Sequence, residues 1–110
     1  MDTKTRTYQF ALRTIAFIDN IPKDSSARVI ANQLIRAATS IGANITESQA
    51  CPTRRDFINF FTHALKSANE TKFWLSLLKD SGKARVVCIV TLRDILGERQ
   101  FLRLCRLMKQ

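Results

Sequence analysis

A chain of 110 residues has the length of one domain, and 3 glycines and 2 prolines against 45% apolar residues are too few turn formers for a many-stranded fold. Its 18 lysines and arginines against 9 acids give a formal charge of +9 and a pI near 10.2, which favours a polyanionic partner such as nucleic acid. Three cysteines, Cys51, Cys88 and Cys105, form no C-x-x-C pair and support neither a disulfide framework nor a zinc site, and no apolar run approaches the roughly 20 residues of a membrane span.

The N-terminal MDTKTRTYQF lacks a signal-peptide pattern, so the expected location is cytoplasmic, with no membrane contact. A first helix is expected from about Thr7 to Asn20, where Tyr8, Leu12, Ile15 and Ile18 or Asp19 recur at helical spacing with Phe10 and Phe17 alongside. It stops before Ile21-Pro22, because the residue preceding proline avoids the α region. A second helix is expected over residues 25–49. Asp24, Ser25 and Ser26 are good N-cap types, and Ile30, Leu34, Ala38, Ile41 and Ile45 then recur every three or four residues.

Beside that apolar stripe runs a polar one, Gln33, Arg36, Ser40, Asn44 and Glu47, at the same spacing. It reads as a structural seam between helices, in which Arg36 pairs with a carboxylate such as Glu47 or Glu70, since polar groups beside a core are normally satisfied internally. A binding groove is the alternative. Ala37, Ala38 and Ala43 leave room for close helix approach.

Cys51-Pro52 breaks the second helix, and Thr53-Arg54-Arg55-Asp56 has the form of a capping box. The third helix should therefore span residues 53–80 and stop at Ser81-Gly82, about 40 Å long at 1.5 Å per residue. Phe57, Phe61, Ala64, Leu65, Ala68, Leu75 and Leu78 make its core face. At 100° per residue Phe73, Trp74 and Leu77 fall on the opposite side with His63, Lys66 and Glu70. One domain core cannot bury both sets, so Phe73, Trp74 and Leu77 are expected to form an oligomer interface, the alternative being that the fourth helix or the C-terminal tail folds over them. The segment 85–90 is β-branched but has no partner strand, so a fourth helix is expected over residues 87–108. The chain should be one all-α domain.

The charge excess is uneven. Residues 1–55 carry 8 basic and 4 acidic side chains, residues 56–82 carry 3 and 3, and residues 83–110 carry 7 and 2, so the excess sits at the ends. On a helix Arg99, Arg103 and Arg106, with Arg93 and Lys109 nearby, would form a stripe able to meet successive phosphates. Candidate chemistry is sparse. His63 is the lone histidine, without a second ligand at metal spacing, and a ribonuclease of the HEPN type would need four to six residues between arginine and histidine where Arg55 and His63 have seven. No enzyme, cofactor or metal is expected.

The run Gln33-Leu34-Ile35-Arg36-Ala37-Ala38-Thr39-Ser40-Ile41-Gly42-Ala43-Asn44-Ile45-Thr46-Glu47, followed by Arg55-Asp56-Phe57-Ile58 and by residues 66–75, resembles a family of helical proteins. That family is the four-helix bundle group named for proteins encoded in intervening sequences of bacterial 23S ribosomal RNA genes. The run is also similar to the accessory variability determinant proteins of diversity-generating retroelements. Ser48 and Cys51 depart from the glycine and the basic residue usual at their positions. The resemblance implies an antiparallel up-and-down four-helix bundle, a homopentamer with a positively charged surface, and partners that include nucleic acid and a reverse transcriptase. It implies no catalytic residues. A protein-interaction scaffold without nucleic-acid binding is the alternative function.

Overall fold

The computed structural model describes residues 2–83, which form three helices in chain order: α1 (Thr3–Asp19), α2 (Ser25–Gln49) and α3 (Arg54–Asp80). Each begins on a polar cap that satisfies a backbone N–H left without a partner in the first turn. The carboxylate of Asp2 accepts from the Thr5 N–H at 2.7 Å, that of Asp24 from Ala27 at 2.9 Å, and the Thr53 hydroxyl from Asp56 at 3.1 Å. Helix α3 ends in a Schellman turn. Gly82 takes φ 77°, where a Cβ would be strained, so that Gly82 N–H reaches the Lys79 carbonyl and Lys83 N–H the Leu78 carbonyl.

Short connections fold consecutive helices antiparallel, and two contacts fix the α2–α3 register. Arg36 pairs with Glu70 near the middle, and Lys83 Nζ lies 2.7 Å from Asp24 Oδ2 at the end. Helix α2 is central and packs against both neighbours. Its inward side carries Ala27, Ala31, Ala37 and Ala38, all buried, which lets the other helices approach closely. One core cluster joins Phe10 to Ala38, Ile41 and Ile45 and to Phe61, Ala64 and Ala68, with the Phe57 and Phe61 rings stacked 4.8 Å apart. The second joins Ile21, Ala31, Leu34 and Leu78, flanked by Phe17, Ile18, Ile30, Trp74 and Leu75. Ile41, Ile45 and Leu34 are fully enclosed, and each contributes roughly 1.5–3 kcal/mol through burial.

Two expectations are corrected. The four-helix bundle is not the architecture found: the described residues hold three helices and no strand, although the chain is all-α over them. Both core clusters of the described residues are built from α2 and its two neighbours, with small residues of α2 on its inward side, whereas the four-helix bundle is an expectation from the family resemblance and from the missing strand partner of residues 85–90. The span expected of the fourth helix, residues 87–108, lies outside the described residues.

The second correction concerns α1, which starts at Thr3 and is rotated from the expected face. Thr3, Thr7, Phe10 and Thr14 point inward, and Tyr8, Leu12 and Ile15 point out. The reason lies on α2. A Cβ on Gly42 would meet the Thr7 hydroxyl at 3.4 Å and the Thr7 carbonyl carbon at 3.6 Å, ordinary contact distances, so the threonine face of α1 lies directly against α2 at Gly42. The hydroxyls of Thr7 and Thr14 donate to the carbonyls of Lys4 and Phe10 at 3.0 and 2.9 Å, which removes the cost of burying them.

Candidate interaction surfaces

The polar stripe of α2 faces the edge of α3 and divides into two kinds of contact. Arg36 crosses to Glu70 and also donates through Nε to Gln33 Oε1 at 3.2 Å. Glu70 Oε1 in turn accepts from the Trp74 indole N–H at 3.2 Å, so one carboxylate oxygen links an arginine of α2 to an aromatic of α3. Ser40 and Asn44 stay within α2, donating to the carbonyls of Arg36 and Ser40 at 2.8 Å each. Glu47 is exposed near the end of the helix. The Arg36 and Glu70 side chains remain 54% and 35% exposed, so the pair orients the helices and adds little stability.

Of the three apolar residues expected on the outside of α3, two stand there. Phe73 is 55% exposed and Leu77 38%. Trp74 is half-buried: its indole packs against the second core cluster, beside Ala31 and Leu34 of α2, while its N–H donates to Glu70 one turn earlier on α3. The rings of Phe73 and Trp74 meet edge to face at 4.9 Å, so the exposed phenyl stands on a seated indole. Sequence spacing missed Val29, which is 63% exposed. It lies seven residues before Arg36 on the same side of α2, and the helix register sets it opposite Leu77.

The basic stripe Arg93, Arg99, Arg103, Arg106 and Lys109 lies outside the described residues. Within them Arg13, Arg28, Arg55, Lys66, Lys72 and Lys79 are all exposed. His63 is exposed on α3. The half-buried Cys51 thiol donates to the Glu47 carbonyl at 3.2 Å. Burial, followed by the charges of Asp56 and Glu47, pushes it above the ordinary thiol value. No cluster of three or more potential metal ligands exists among the described residues, and no helix among them is long and apolar enough to cross a membrane.

A further surface runs along the outside of α1, where Tyr8, Leu12 and Ile15 are 63%, 44% and 40% exposed. The signal for it was present in the sequence, as the threonines at 3, 7 and 14 share the spacing of a buried face.

Among the described residues these features define an all-helical unit built on one long antiparallel pair, α2 and α3, with α1 laid along it. The chain belongs to the 23S rRNA-intervening sequence protein family, whose model matches residues 1–98. It is also similar to a solved structure of a protein of unknown function from the S23 ribosomal protein family of Bacteroides thetaiotaomicron, at 32% identity and a TM-score of 0.79. That similarity covers 98% of this chain and 96% of the other. No curated protein matches the chain.

Proposed function

We propose that this chain is a non-enzymatic, homo-oligomeric helical protein of the cytoplasm that binds nucleic acid, RNA or DNA, through basic surfaces. The observation that carries the reading is the charge. A 110-residue chain with a formal charge of +9 exposes cations on every described helix, Arg13 on α1, Arg28 on α2 and Arg55, Lys66, Lys72 and Lys79 on α3. Arg93, Arg99, Arg103, Arg106 and Lys109 add to that charge in sequence. The resemblance to retroelement accessory proteins suggests a homopentamer and a reverse transcriptase or RNA-processing enzyme as partner, and a ring of such subunits would concentrate the field on its axis.

Binding of this kind is dominated by counterion release. Affinity for a labelled RNA or DNA should therefore fall by orders of magnitude between about 50 and 200 mM salt. Replacing Arg99, Arg103 and Arg106 with glutamine should weaken every sequence alike and reduce the salt slope. Affinity that ignores both changes would remove the reading. A scaffold that binds protein alone is the second reading, favoured by exposed Phe73, Leu77 and Val29, and it requires that no nucleic acid binds at low salt.

A further inference from the structure

We propose that α1 is a self-association surface, pairing antiparallel with α1 of a second copy of this chain about a two-fold axis between Ala11 and Leu12. This contact is separate from the Phe73 face and goes beyond the reading above. The outer side of α1 carries, in order, Lys4, Tyr8, Leu12, Ile15 and Asp19, all exposed and within about 80° of the helix circumference. The order is self-complementary when reversed. A two-fold rotation brings Lys4 to the partner's Asp19 and Tyr8 to the partner's Ile15, and sets the two copies of Leu12 beside the axis, so charges end the contact and apolar groups fill its centre.

Charge placement selects both the occupant and the direction. Neither Lys4 nor Asp19 belongs to an ion pair of the described residues. Both also oppose the macrodipole of their own helix, with a cation in its first turn and a carboxylate at its last residue, Asp19. An antiparallel copy cures both faults. The partner's Asp19 meets the positive end of α1 and the partner's Lys4 the negative end. A parallel copy would instead oppose lysine to lysine and aspartate to aspartate. One helix pair about 24 Å long makes a contact below about 1,200 Å², the size of weak, reversible associations.

Sedimentation of the full chain over a concentration series at low salt tests this, reading the concentration at which the mass of the smallest species doubles. Leu12→Glu, Lys4→Glu and Asp19→Lys should each raise that concentration at least about tenfold, because the two-fold makes each change act twice. The double variant K4E with D19K exchanges the charges across the axis and should return to within about threefold of the parent. Both reversals suit the macrodipole of α1, so a weaker helix cannot explain a lost contact. Phe73→Glu should leave the doubling in place, which separates this contact from the other apolar face. Single reversals without effect, a double variant no better than the singles, or doubling that survives Leu12→Glu would each overturn the proposal.

Discussion

Helix α2 meets its two neighbours by different means. Towards α3 it shares a long antiparallel interface whose edge is pinned by Arg36, Glu70 and Trp74 and whose end is tied by Lys83 to Asp24. Towards α1 it offers Gly42 and takes threonine hydroxyls that bond only to their own helix. The first pairing specifies a register through polar contacts across helices, and the second relies on close approach. Helix α1 consequently has its larger apolar groups on both sides, Phe10 and Phe17 inward and Tyr8, Leu12 and Ile15 outward. A surface helix that spends threonines on its core has apolar residues left for another partner.

The comparison can be broken at α2, which serves both pairings. Ile41→Ala removes a fully buried side chain from the cluster that joins all three helices, and should cost about 2–5 kcal/mol in urea unfolding. Every helix should lose protection together, since the residue belongs to both interfaces. At the polar edge the effect should be smaller. Glu70→Ala leaves Arg36 to solvent and takes the acceptor from the Trp74 indole, at a cost of about 1 kcal/mol or less, with a shift in tryptophan emission as the readout. A cost near that of Ile41→Ala would mean that the polar edge, and not the apolar core, holds α3 to α2.

Acid should act on the ends of the helices. The Lys83 ammonium, then the Ala27 N–H, hold the Asp24 carboxyl below its ordinary value of 3.8. A carboxyl depressed by folding stabilises the fold above that value and loses its contribution as the pH falls below it. The N-terminus of α2 and its tie to the end of α3 should therefore loosen together in strong acid.

Much of this arrangement was legible in the sequence because caps and periodicity act locally. Asp24 and Thr53 start helices where their residue types predict, and Ser81-Gly82 ends one where the left-handed turn requires glycine. The pairing of Arg36 with Glu70 could be named as one of two options from the α2 spacing, but choosing between them needed the α2–α3 register, which no local pattern holds. The face of α1 was misread for a related reason. Two stripes fit the helical period, and the choice between them depends on how α1 docks on α2, where Thr7 lies against Gly42, thirty-five positions further along the sequence. Trp74 was misplaced because a helical wheel locates Cα positions and takes no account of how far an indole reaches.

A matched pair of truncations on α1, Phe10→Ala and Leu12→Ala, unfolded in urea at a protein concentration low enough to keep the smallest species alone, separates the two faces of that helix. Phe10 lies in the core cluster and Leu12 on the outer stripe, two residues apart on one helix. Phe10→Ala should cost about 3–5 kcal/mol and Leu12→Ala no more than about 0.5 kcal/mol. Equal losses at the two positions would contradict the account, because the outer stripe would then be part of the monomer core.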